Sequence, residues 1–167
     1  MPEPTETILA RQRQAPDALA RLIVTAPDAA LSQAPAPGKW SVVAILAHLA
    51  EDELSSSWRY RQMLEQPGTA LASFDQEEWA RRGDYASWDP GEALEMFRLL
   101  RQANLRLLAG LTAEEWQRHG VHAERGRFTV AELALHMVGH DERHIEQIER
   151  ILASPASACS TTPQEGY

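Results

Sequence analysis

The sequence predicts an all-α protein, most simply a four-helix bundle. Apolar residues recur at spacings of three and four through long stretches. Proline and glycine cut the 167-residue chain into four such stretches. Helix-starting motifs stand where the stretches begin. No strand alternation longer than a few residues is visible, and no repeat at a fixed period. The length is that of about one domain. Residues 5–153 are expected to form it, and residues 154–167, small and polar, to be a disordered tail.

The first helix is expected from about Thr5 to Thr25, with a break or kink at Pro16-Asp17. Its second half, Ala18 to Val24, is apolar at helical spacing. A proline-rich loop, Ala34 to Trp40, separates it from Ser41, a good N-cap for a second helix from Val42 to Leu64. Val42, Ile45, Leu46 and Leu49 form the apolar face of that helix, and Pro67-Gly68 ends it. A Trp-rich linker from Thr69 to Trp88 follows, with a short helix expected around Phe74 to Ala80. The third helix opens with Asp89 as N-cap, Pro90 at N1 and Glu92 at N3. Leu94, Phe97, Leu100, Leu107 and Leu108 are its apolar face, and Gly110 is its C-cap. Thr112-Ala113-Glu114-Glu115 repeats the capping pattern for a short turn at Trp116. Thr129-Val130-Ala131-Glu132 opens the fourth helix, which runs to Ala153 before Ser154-Pro155.

Charge and composition narrow the function. Lys plus Arg is 16 and Asp plus Glu is 24, a net charge of −8. Phosphate backbones repel such a chain, so no nucleic-acid partner is expected. No apolar run reaches the ~18 residues of a membrane span. The start, Met1-Pro2-Glu3-Pro4-Thr5-Glu6, lacks the basic and apolar regions of a secretory signal, so a cytoplasmic location is expected. The single cysteine, Cys159, excludes an internal disulfide and a Cys-type zinc finger. Only Lys39 is lysine, and it sits in a proline-rich turn, a poor place for a Schiff-base or general-base mechanism.

The six histidines carry the chemical promise. His136, His140 and His144 lie four apart on the fourth helix. Four residues advance only ~40° around a helix and ~6 Å along it, so an adjacent pair can hold one ion. The outer pair, ~12 Å apart, cannot. With His140 at zero, Leu133, Val130, Met137, Ile148 and Ile151 fall at about +20° to +80° and His144 at about +40°. His136 falls at about −40°, on the margin of that stripe. His140 and His144 therefore face the interior, where each imidazole must find a hydrogen bond or a ligand. Gln147, near −20°, is a candidate supporting group. Three readings stay open on spacing alone: a metal site, a polar network of His, Gln and Glu, and a surface His face. His48 on the second helix, beside the apolar face, is a candidate third ligand, with Asp52 one turn on as a hydrogen-bonding partner or mixed ligand. His119 and His122 read as loop residues. Arg125-Gly126-Arg127 reads as a solvated loop, so no basic cluster marks a site for an anionic thiol.

Two known metal patterns are excluded. His140-Asp141-Glu142-Arg143-His144 is similar to the His-Glu-x-x-His of zinc proteases. Its acid at the base position is a methylene shorter, and little chain remains for a downstream ligand. A di-iron carboxylate bundle needs two Glu-x-x-His elements and two further Glu, and the nearest match, Asp141-x-x-His144, occurs once.

Pro37-Gly38-Lys39-Trp40-Ser41, Leu46-Ala47-His48-Leu49-Ala50-Glu51-Asp52, and the block from His136 through His140 and His144 to Gln147-Ile148 together resemble the DinB/YfiT-like superfamily over residues 5 to 153. The Phe74–Trp79 segment and the Gly120-to-Thr129 approach are similar too. The resemblance implies an up-down-down-up four-helix bundle holding one divalent metal on His48, His140 and His144. Members include thiol S-transferases, a mycothiol-dependent isomerase and proteins described as metal-dependent hydrolases, and many are homodimers. Three neutral His ligands leave open positions where water or a low-molecular-weight thiol cosubstrate can bind. Imidazoles suit zinc, nickel, iron or copper. Zinc and nickel are favoured here, with iron and manganese admissible. Asp52 and Gln147 stand behind the ligands. The expected function is a metal-dependent enzyme, hydrolase or thiol S-transferase, on a small-molecule substrate. The alternative is a non-catalytic, stress-linked metal-binding or dimerisation module. A coordination site reached by a cleft favours the first, and a closed site the second.

Overall fold

The computed structural model describes residues 3–154. The expected disordered tail lies, apart from Ser154, outside the described residues. Helix α1 runs Thr5–Val24 without the break expected at Pro16. Pro16 has no N–H to give the carbonyl of Gln12, one turn earlier. That carbonyl instead accepts from Nη1 of Arg101 at 2.9 Å, so the helix continues with no orphaned acceptor there. A short helix α2, Asp28–Ser32, crosses to α3, Val42–Glu65. Ser41 caps α3 as expected, its Oγ accepting from the amide of Ala44.

The segment after α3 contains strand β1 (Ala70–Leu71), helix α4 (Gln76–Arg82) and a 3-10 turn at Tyr85–Ser87. Helix α5 is Pro90–Ala109 and α6 is Ala113–Trp116. Strands β2 (His119–His122) and β3 (Gly126–Thr129) precede α7, Val130–Ala153. Asp89, Thr112 and Thr129 all act as N-caps, the two threonines in full capping boxes.

A small three-stranded sheet accompanies the helices. Its pieces are two and four residues long, too short for alternation to register in sequence. Strand β1 pairs parallel with β2, and β2 antiparallel with β3. Gly126, at φ +70°, closes the β2–β3 turn. A Cβ on Gly120 would stand 2.5 Å from Cγ of Leu71, so β1 seats against β2 only because residue 120 is glycine.

Contacts between helices fix their directions. Ile8 and Leu9 share a core cluster with Val130 and Leu133, and Leu19 shares another with Ile148, so α1 and α7 run parallel. Glu53 meets Arg101 and Asn104 midway along α3 and α5, and Leu46 and Phe97, nearer their starts, share a core cluster, so these two are also parallel. His48 against His144 and Ser56 against Met137 make α3 and α7 antiparallel. The order is up, down, down, up.

Two apolar clusters fill the bundle, one toward each end. Between them lies a polar layer to which every long helix contributes. Arg101, 1% exposed, donates to Asp141 (2.7 and 3.1 Å), to Glu53 (2.7 Å) and to the Gln12 carbonyl. Asn104 donates to Glu53 at 2.8 Å, and Gln12 to the Ala134 carbonyl at 2.8 Å. The buried stripe of α5 is therefore Ala93, Phe97, Arg101, Asn104 and Leu108. Of the expected apolar face, Leu94, Leu100 and Leu107 are only half-buried, because the stripe is rotated toward the two polar residues.

Candidate metal centre

His48 sits one and a half turns into α3, and Trp40, just ahead of the Ser41 cap, packs its ring 4.9 Å from the imidazole. His48 is 3% exposed. On α7 the i, i+4 spacing brings His140 and His144 to the same side, their rings 4.5 Å apart. Each ring is 5.0 Å from that of His48. One ring nitrogen from each of the three lies within 4.8 Å of the others. Nε2 of His48 and Nε2 of His140 are 3.0 Å apart.

The second nitrogens show how the rings are held. Nδ1 of His144 pairs with Oε1 of Gln147 at 2.9 Å, and since an amide oxygen only accepts, Nδ1 carries the proton and Nε2 keeps its lone pair. Asp52 faces His140, the carboxylate oxygen 3.5 Å from Nδ1, and not His48 as the helix spacing alone suggested. That nitrogen is buried without a hydrogen bond at this distance. Burial first, then the charge of His144, pushes His48 down to about 3, and the same causes take His140 well below the ordinary imidazole range. His144 is lowered by burial, against the Gln147 hydrogen bond. All three are thus neutral near pH 7, the form that binds metal.

The donor set fits a divalent ion. Two imidazoles bonded at ~2.05 Å place their nitrogens about 2.9 Å apart at a right angle and about 3.3 Å apart at the tetrahedral angle. The observed 3.0 Å falls between. Among the described residues no fourth His, Cys, Asp or Glu joins this cluster. The cluster floors a cavity of about 400 Å³ that opens to solvent between α3, α7 and the β2–β3 turn.

Other predicted residues fall elsewhere. His136 lies outside the cluster, on the cavity wall, its ring 6.2 Å from that of His140. His119 and His122 lie on β2 and not in a loop, with His122 buried against the cavity. Asp141, at the base position of the zinc-protease-like pattern, points into the polar layer and is held by Arg101. Sequence reasoning missed Arg59, Arg125 and Arg143, which all line the cavity. It also missed the polar layer, although Arg101 and Asn104 interrupt an apolar row, Phe97 to Leu108, at helical spacing, which is a readable signal.

A bundle of this topology with three imidazoles converging between its second and fourth long helices defines the class, and the chain belongs to the DinB superfamily, whose profile matches residues 11–148. It is 25% identical over 139 residues to the Bacillus subtilis protein named "Putative metal-dependent hydrolase YfiT", covering 83% of this chain and 78% of that one. A relative in Oceanobacillus iheyensis with the same functional description is 25% identical over 127 residues, 76% of this chain and 73% of its own. The solved structure of Bacillus subtilis YfiT, described as an unusual four-helix bundle, superposes with a TM-score of 0.81 at 23% identity over 88% of this chain and 85% of that one. The mycothiol-dependent maleylpyruvate isomerase shares the fold at a TM-score of 0.65 and 14% identity over 92% of this chain and 62% of its own.

Proposed function

We propose that this chain is a metal-dependent enzyme acting on a small molecule, with His48, His140 and His144 holding one divalent ion. The observation that carries the reading is the convergence of three neutral imidazoles at the floor of an open cavity. A buried structural site closed by protein ligands has no need of such access. The ion would supply Lewis-acid activation of water or of a thiol. Gln147 fixes the tautomer and tilt of His144. Asp52 stands where it can accept the Nδ1 proton of His140, leaving that Nε2 free to ligate. Trp40 shields one side of His48 from water. The names of the relatives favour hydrolysis, in which water is the nucleophile. A low-molecular-weight thiol in the same place would make the protein an S-transferase. Zinc or nickel is the favoured ion, and a cytoplasmic homodimer the favoured form.

Elemental analysis of purified protein tests the reading. About one divalent ion per chain is expected in the wild type. His48→Ala and His144→Ala are each expected to lose it while keeping the helical circular dichroism spectrum. Wild-type protein that takes up no ion after metal loading overturns the proposal.

A further inference from the structure

The outer half of the cavity differs from its floor. Arg59 of α3, Arg125 of the β2–β3 turn and Arg143 of α7 line it, and among the described residues none has a carboxylate within 4.0 Å. Two carboxylates share the cavity lining: Asp52 is turned to His140 on the floor, and Glu124 stands exposed on the turn beside Arg125.

Two of the guanidinium groups are held in place. Arg59 donates Nη2 to the carbonyl of Ala72 at 2.7 Å and rests 5.5 Å from the centre of the Phe74 ring. Arg125 lies 6.0 Å from the centre of the Phe128 ring, with Nη1 3.1 Å from Nδ1 of His136. Such stacking leaves little side-chain freedom to be lost when a ligand binds. Arg59 is half-buried and Arg125 and Arg143 are exposed at the rim, and three like charges on one cavity raise its potential toward an anion. The charges of all three arginines reach His136, adding to burial in driving its imidazole down to about 4.

We propose that the molecule turned over here carries an oxyanion, a carboxylate or a phosphate, seated on Arg59 and Arg125 beside His136. Its reacting group then reaches the three-histidine floor. This second half rests on the metal-centre reading, whereas the anion seat does not. His136, beside the arginines, and His140, on the floor, have rings 6.2 Å apart, so the two ends belong to one cavity. Phe74 and Phe128 add apolar wall to the same cavity. The arginine pair offers forked donors matching either oxyanion.

The full chain, metal-free and metal-loaded, is titrated with succinate, inorganic phosphate and neutral succinamide, read by calorimetry and by tryptophan fluorescence. At least one anion is expected to bind saturably to both forms, and succinamide to neither. The double variant Arg59→Gln/Arg125→Gln is expected to bind that anion about tenfold or more weakly. Its ion content and circular dichroism should be unchanged. Tighter binding of succinate identifies a carboxylate substrate, and of phosphate a phosphorylated one. Failure of both anions to bind, equal binding of succinamide, or unchanged affinity in the double variant overturns the proposal. Anion binding to a chain that takes up no metal would sink the metal-centre reading and leave the anion seat standing.

Discussion

Two imidazole nitrogens 3.0 Å apart cannot both carry a proton, so the contact between His48 and His140 leaves at least one lone pair aimed into the cluster. Asp52 favours the His140 tautomer protonated at Nδ1, and Gln147 imposes the same tautomer on His144. Gln147→Ala should therefore leave the fold intact and weaken metal affinity about 10- to 100-fold, measured by chelator competition. An affinity equal to wild type would mean that packing alone orients His144. The i, i+4 histidine pair was legible because helical spacing translates directly into facing side chains. The partner of Asp52 was not, because a carboxylate one turn from His48 can equally reach across to α7. Arg125 is exposed, in keeping with the solvated loop read from the sequence, but its place at the cavity rim was not legible, because it depends on a turn whose strands leave no pattern in the sequence.

The helices were legible through their ends. Ser41, Asp89 and Thr129 cap where the sequence places them, because a side-chain oxygen before an apolar run has a local partner whatever the tertiary fold. Pro16 misled for the opposite reason: the group that rescues its missing hydrogen bond, Arg101, is 85 residues distant in sequence. Arg101 binds α1, α3 and α7 at once and neutralises two buried carboxylates. Arg101→Met would orphan the Gln12 carbonyl and leave Glu53 and Asp141 unpaired, at a cost of roughly 3–5 kcal/mol at neutral pH. Even beside Arg101, burial holds Asp141 up at about 6, against 3.8 ordinarily. Without the arginine it rises further, so the folded variant takes up protons more readily than the unfolded chain. The deficit against wild type should then shrink as pH falls toward 5, as read from denaturant midpoints. A deficit constant with pH would show that lost packing, and not unpaired charge, is responsible.

At the scale of the whole molecule, the parallel pairing of α1 with α7 and of α3 with α5 was carried by the family resemblance and not by periodicity, which is blind to direction. That topology sets two His-bearing helices antiparallel, so an ion bound by His48, His140 and His144 would join segments 92 residues apart in sequence. Binding to the folded state alone stabilises it, by about 2.7 kcal/mol at an ion concentration a hundred times the Kd. Metal-free protein should show the complementary weakness in acid. Its imidazoles ionise near 6.5 when unfolded, but burial holds His48 near 3 and His136 near 4 in the folded state. Between those limits the unfolded chain binds more protons, so stability falls as pH drops below about 6.5. Asp52 and Asp141, both raised to about 6 on folding, act in the opposite sense between about 6 and 3.8 and offset part of the loss. Five depressed imidazoles against two raised carboxylates leave a net decline. The denaturation midpoint of the metal-free wild type should thus be lower at pH 5 than at pH 7, with a shallower decline in His48→Leu. A wild-type midpoint that holds or rises on acidification would mean that the imidazoles take up protons without unfolding the bundle, and that the floor of the cavity is wetter than its geometry shows.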